Sequence, residues 1–171
     1  MKNIQTIYLA GGCYWGMEEL FRVIPGVVQT QVGFSGGHIP NVAYREVTTG
    51  ATGHAETLMV QFDSDRVSLR ELLFEFFRVH NPTKPNQQGN DIGTQYRSVI
   101  FYLNAAQEKV IEEVMKIVND SGEWGSALVT QVELFKAFYP AEEKHQKYIM
   151  KFPEGYTCHY RRNFNFGETS Q

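Results

Sequence analysis

The sequence predicts an α+β fold: one domain with a mixed β-sheet packed against helices, long functional loops and an irregular C-terminal tail. Two observations carry this. Apolar or alternating runs of strand length are interspersed with helix-period segments, but without strict βαβ repetition, so the sheet should be mixed rather than parallel. The stretches 35–53 and 80–95 lack either period, and long structureless segments in a compact domain usually serve function. At 171 residues the chain can build one substantial core, and no repeat or low-complexity linker divides it.

The elements follow in order. Residues 4–10 are a buried strand, and Gly11-Gly12 turns it into a helix over 14–23 that Pro25-Gly26 closes. Residues 27–34 alternate as a second strand. After the loop 35–53, residues 54–62 alternate again, and Glu56, Leu58, Val60 and Phe62 share one face because strand side chains repeat every second residue. Ser68-Leu69-Arg70-Glu71 reads as a capping box opening a helix to about residue 79. The loop 80–95 holds Pro82, Pro85, Gly89 and Gly93. A strand over 96–103, a helix from Asn104 to about 119, a strand over 127–135 and a helix from Pro140 to about 150 complete the pattern. Residues 1–152 are expected to be the catalytic unit, and 153–171 a polar, aromatic tail.

Composition narrows the function. The hydrophobic share is 42%, the charged share 20% and the net charge −3. Without a basic patch, nucleic acid is not an expected partner. No apolar run approaches the ~20 residues of a membrane span, and the N-terminus enters the first strand without a signal region. A soluble, cytoplasmic monomer is expected. The two cysteines, Cys13 and Cys158, lack C-x-x-C spacing, and the five histidines lack H-E-x-x-H spacing, so no metal is expected. Two thiols are, however, the minimum for a nucleophile and its resolving partner.

Cys13 sits where the strand hands over to the helix. A helix N-terminus offers unpaired N–H groups and a positive dipole end, both of which favour thiolate, the nucleophilic form. A small buried hydrophobe is the plainer reading. Glu56, a carboxyl on an otherwise apolar strand face, would lose hydration, rise in pKa and become a proton donor near neutrality; a solvated or Arg-paired strand-end Glu is the alternative. Tyr44, Tyr96 and Asp91 lie in or beside the long loops. Phenols can hydrogen-bond a polarised oxygen and Asp91 could orient them, against rim packing and an Asx turn. Tyr14 and Trp15 flank Cys13 and could wall a pocket for a small apolar group. His54, two residues before Glu56, could bind substrate or act as base in a cysteine hydrolase or acyltransferase. A phosphatase loop would need Arg where Glu19 stands.

Taken together, Gly12-Cys13-Tyr14-Trp15-Gly16, Val32-Gly33-Phe34-Ser35-Gly36-Gly37, Thr52-Gly53-His54-Ala55-Glu56, the run from Gln88 through Asp91 and Tyr96 to Ser98, and His145-Gln146-Lys147-Tyr148 resemble the peptide methionine sulfoxide reductase A family. The resemblance implies a reductase for the S epimer of methionine sulfoxide, free or in oxidised proteins, working without an organic cofactor. It makes Cys13 the nucleophile, Glu56 the acid, Tyr44 and Tyr96 the ligands of the sulfoxide oxygen, and Asp91 the support of that polar network. Tyr14 and Trp15 then form the methyl pocket, and Cys158 resolves the Cys13 sulfenic acid to a disulfide that thioredoxin or another dithiol reduces. Tyr14 stands where the family has phenylalanine, and its hydroxyl is expected to reach solvent or find a partner. The competing classes predict other outcomes: a hydrolase would form an acyl-enzyme and ignore thioredoxin, and a binding module would keep its ligand after Cys13→Ser.

Overall fold

The computed structural model describes residues 3–155 and 157–168. Its main sheet has six strands: β1 (Ile4–Gly11), β2 (Val27–Ser35), β3 (Ala55–Asp63), then β6 (Ser98–Tyr102), β7 (Gln131–Leu134) and β8 (Phe138–Pro140), in the order β7-β6-β1-β3-β2-β8. Between β3 and β6 the short strands β4 (Gln87–Gln88) and β5 (Asp91–Ile92) form a separate hairpin. β6 and β7 are parallel and every other pair is antiparallel, so the sheet is mixed as expected. The parallel pair is joined by a long helix, α4 (Ala105–Ser121), as parallel neighbours require.

The other main helices, α1 (Tyr14–Arg22) and α3 (Leu69–Val79), join α4 in covering one face of the sheet. Two short helices, α2 (Tyr44–Val47) and α5 (Tyr148–Lys151), lie in segments connecting or following the strands. The caps are those the sequence signals: Ser68 Oγ accepts from the Glu71 N–H at 3.0 Å and Asn104 Oδ1 from the Gln107 N–H at 2.9 Å. The core lies between sheet and helices and is rich in large apolar side chains, among them Leu9, Phe21, Phe34, Leu58, Phe62, Leu73, Phe76 and Phe77, all fully buried. A smaller cluster of Ala10, Ala55, Val99 and Phe101 occupies the opposite face.

One expected element does not form. In place of a helix over 140–150 the chain runs from β8 through a 3-10 turn (Glu143–His145) to the single-turn α5. The competing partner is the edge of β2. Ala141 N–H donates to Val32 O, and the Gln146 amide both accepts from Val32 N–H (2.8 Å) and donates to Val32 O (2.9 Å), so a side chain continues the sheet edge. Lys147, in the left-handed region at φ 50°, then gives its N–H to the buried Glu18 carboxylate at 2.6 Å. The long loops are also more ordered than their composition implies: 35–53 contains α2, and 80–95 contains the β4–β5 hairpin and a 3-10 turn, Thr94–Tyr96, so that Tyr96 precedes the strand rather than opening it.

The described tail, 157–168, has no helix turn or strand before residue 167, yet it is anchored. His159 Nε2 bonds Gly11 O at 2.6 Å, Arg162 N–H donates to Arg78 O, and Arg161 pairs with Glu75 at 2.7 Å. Arg78 pairs with Glu168, and Phe166 is buried against Phe74.

Candidate active site

Strand register assembles the site. β1 and β3 pair through Leu9–Leu58, and two more residues along each strand the Gly11 end of β1 meets Glu56. Glu56 also pairs with Phe34 of β2, while Gly11 pairs with Ser98 of β6, two residues after Tyr96. Gly12, at φ 96°, makes the turn into α1; a Cβ there would stand 2.5 Å from Gln88 Cγ. The glycine therefore serves both an unusual backbone angle and a close approach.

Cys13 is the N-cap of α1 and only 9% exposed. At the helix start Tyr14 N–H donates to Glu56 Oε1 at 3.2 Å, and the Cys13 side chain makes no cap hydrogen bond to its own helix. Burial nevertheless outweighs the helix end. It pushes the Cys13 thiol well above its ordinary range, the Glu56 charge adds to the rise, the Trp15 N–H opposes it, and Asp91 and Cys158 add smaller upward contributions. Burial also raises the Glu56 carboxyl to about 8, against the Tyr14 N–H and with a further push from Asp91. Both shifts favour a neutral thiol and a neutral carboxylic acid at pH 7, rather than the thiolate expected from helix position alone. Glu56 Oε2 is buried without a hydrogen-bond partner among the described residues.

Tyr44 stands at the start of α2 and Tyr96 in the turn before β6, and both phenols are raised by burial first and by the Glu56 charge second. Asp91, on the β4–β5 hairpin, acts on Glu56, Cys13, Tyr44 and Tyr96 alike. These five side chains, scattered from 13 to 96, therefore converge on one site.

Tyr14 and Trp15 diverge. Trp15 is half-buried and stacks on Tyr148, centroids 3.8 Å apart. Tyr14 is 1% exposed, packed between Phe34 and His145. Its hydroxyl reaches neither solvent nor a partner among the described residues, against expectation. The ring fills a closed space that the extra oxygen cannot leave.

Cys158 stands beside the hairpin, its sulfur 3.7 Å from Gln88 O and 3.9 Å from Asp91 Oδ2. The Cys158 and Cys13 sulfurs are not bonded to each other. A Cβ on Gly89 would come 2.9 Å from the Cys158 Cβ, so that glycine makes room for the thiol. His54 turns elsewhere: Nδ1 accepts from Gly37 N–H at 3.0 Å and Nε2 bonds Ile39 O at 2.6 Å. Both ring nitrogens hold the 37–39 segment, which leaves none to serve Cys13 as base.

Sequence reasoning gave three further groups no role. His145, which entered only through the His145-Gln146-Lys147-Tyr148 resemblance, is buried among Tyr14, Trp15 and Tyr44 and accepts from Trp15 Nε1 at 3.1 Å. Glu18 is 1% exposed and bonds Thr30 Oγ1 and Lys147 N. His159 pins the tail beneath α1, where Gly16 leaves space for it and for Thr157. Only its place beside Cys158 could have pointed to His159, and the His145-Gln146-Lys147-Tyr148 segment to His145; Glu18 needs the fold. Among the described residues no cluster of three or more His, Cys, Asp or Glu could hold a metal ion, and no helix is long and apolar enough to cross a membrane.

Comparison with known proteins matches this architecture throughout. The model of the family described as peptide methionine sulfoxide reductase matches residues 5–170. A peptide methionine sulfoxide reductase MsrA of Streptomyces coelicolor is 46% identical over 158 residues, covering 92% of this chain and 90% of the relative. The crystal structure of reduced Mxr1 from Saccharomyces cerevisiae superposes with a TM-score of 0.89 at 39% identity, covering 94% of this chain and 93% of that one. Mxr1 in complex with Trx2 superposes at 0.64, with 26% identity over 94% and 91% of the two chains.

Proposed function

Since this chain belongs to the peptide methionine sulfoxide reductase family, we propose that Cys13 and Glu56 carry out its reaction together, with Tyr44, Tyr96 and Asp91 arranging the polar side of the site. The protein is an oxidoreductase that reduces methionine sulfoxide with thiols, a repair activity. The observation that best supports the residue assignment is the start of α1: Cys13 is its N-cap residue, and the first helical N–H, that of Tyr14, donates to Glu56 Oε1 at 3.2 Å.

The chemistry follows from the charge state. Attack on sulfur needs a better leaving oxygen, and a neutral Glu56 can protonate the sulfoxide oxygen while the Tyr44 and Tyr96 hydroxyls donate to it. As the Glu56 proton leaves, the Cys13 thiol gives its own proton to the vacated carboxylate, and its sulfur bonds to the substrate sulfur. Transfer of the oxygen to Cys13 releases the thioether and leaves a sulfenic acid. The balance is thiol plus sulfoxide to sulfenic acid plus methionine. Cys158 then attacks the Cys13 sulfur, a disulfide forms and water leaves. An external dithiol, taken to be thioredoxin, restores both thiols by exchange. Substrates are the S epimer in oxidised proteins and free methionine sulfoxide. Trp15, with the buried Tyr14 ring behind it, is assigned to the methyl group, and His54 to holding the 37–39 segment at the rim. Residues 1–152 act as the catalytic unit and 153–171 as the recycling tail, in a monomer working in the reducing cytoplasm.

The test is a single turnover on an S-sulfoxide peptide without added reductant, with thiols titrated before and after. Product with loss of both thiols is expected. Product with only one thiol consumed would remove Cys158 from the cycle, and no product from either epimer would overturn the assignment.

A further inference from the structure

Among the described residues, three buried polar atoms around one side of the site have no hydrogen-bond partner: Glu56 Oε2, Tyr14 Oη and His145 Nε2. A buried polar atom left unpaired costs roughly 1–3 kcal/mol, and a group of them around one reacting residue calls for a reason. Their chemistry is complementary. Trp15 Nε1–H donates to His145 Nδ1, so in the neutral ring the proton sits on Nε2, which becomes a donor. The Tyr14 hydroxyl can accept from it and donate onward, and a Glu56 carboxylate can only accept. The Tyr14 and His145 ring centroids are 5.7 Å apart, and the Tyr14 N–H is bonded to the other Glu56 oxygen, Oε1, at 3.2 Å.

We propose that Tyr14 and His145 are positioning residues that form a one-way donor chain, from Trp15 through His145 and Tyr14 to Glu56 Oε2. The chain holds the Glu56 carboxylate during the interval between its two proton transfers. It rests on the assignment of Glu56 as the acid. While Glu56 is protonated the chain is slack, in keeping with the three atoms that have no partner among the described residues. Once the proton passes to the sulfoxide oxygen, the carboxylate tightens it, so the interaction is stronger after proton transfer than before and assists the step. Other groups act at the same place: Cys13, Tyr44, Tyr96 and Asp91 toward Glu56, Glu142 toward Tyr14, and Glu142 and Lys144 toward His145. None supplies a donor to Oε2 among the described residues.

The experiment is an infrared pH titration of the Glu56 carboxylic acid band, assigned by its loss in Glu56→Gln, in the native protein, Tyr14→Phe, His145→Phe and the double variant. Loss of a donor to the carboxylate makes ionisation harder, so the midpoint should rise by about one pH unit in Tyr14→Phe. His145→Phe, which keeps the ring, should raise it too, and the double variant should match Tyr14→Phe rather than sum the two. The single-turnover rate at pH 6 should fall roughly tenfold with the midpoint. A midpoint unmoved in either variant overturns the chain. Tyr14→Phe removes one unpartnered oxygen and keeps the packing, so it decides the matter alone if His145→Phe fails to fold. The titration reads Glu56 without turnover, so a native protein that reduced no sulfoxide would sink the functional assignment and still leave the chain tested.

Discussion

Glu56 shows how position sets chemistry at the scale of one residue. Its carboxyl is 2% exposed and receives a single N–H, so burial prevails and the acid form persists to about pH 8. Reduction should therefore decline as pH rises through about 8, and Glu56→Gln should lower the single-turnover rate by roughly 10²–10⁴. The same shift has a stability consequence. A carboxyl whose folded pKa lies above its ordinary 4.5 contributes stability that is full below 4.5 and is lost as pH rises toward 8. Glu56→Gln does not ionise, so its urea midpoint should overtake the native one across that window, by an amount on the order of a few kcal/mol. Equal pH dependence in the two proteins would contradict a buried, neutral Glu56.

At the scale of elements, the tail and α1 meet through an absence of side chain. A Cβ on Gly16 would lie 2.6 Å from His159 Nδ1 and closer still to Thr157 Oγ1. Alanine in a helix is favoured over glycine by about 1 kcal/mol, so Gly16→Ala should not weaken α1 itself; its effect falls on the tail that carries Cys158. The expected outcome is a first turnover of normal yield with one thiol consumed instead of two, read by thiol titration and by trapping of the sulfenic acid. Two thiols consumed at the native rate would mean that the docking of 157–159 does not govern recycling.

The whole molecule carries its acid sensitivity in two buried histidines that join separate parts of the fold. His80 bonds Phe76 O and Ser98 Oγ, and His159 bonds Gly11 O. Burial, their largest influence, lowers them to about 3 and about 4. A histidine lowered from 6.5 in the fold adds stability that is present above 6.5 and lost as pH falls toward 4, because the unfolded chain takes up protons that the folded chain refuses. The urea midpoint should therefore drop between pH 6.5 and 4. His159→Gln should flatten that slope, and an unchanged slope would exclude His159 as a source. With Glu56 acting in the opposite sense, the two effects bracket a stability maximum near pH 6 to 7.

By itself the sequence determined what local pattern and short motifs can specify. An apolar run marked β1, alternation marked β2 and β3, Ser68 and Asn104 announced their helices, and the segments around Cys13, Glu56, Asp91 and Tyr96 carried the family resemblance. These depend on neighbours a few residues away. Tertiary structure decided whatever depends on a distant partner. The edge of β2 drew residues 140–147 out of a helix, because Gln146 and Ala141 bond Val32 there. Burial kept Cys13 as a thiol where helix position alone favoured thiolate, because desolvation grows with everything packed around the sulfur. Strand register brought the Gly11 turn to Glu56, and the tail returned over α1 to set Cys158 beside Asp91. Burial, charge state and the pairing of remote side chains are sums over the folded chain, and no window of sequence contains them.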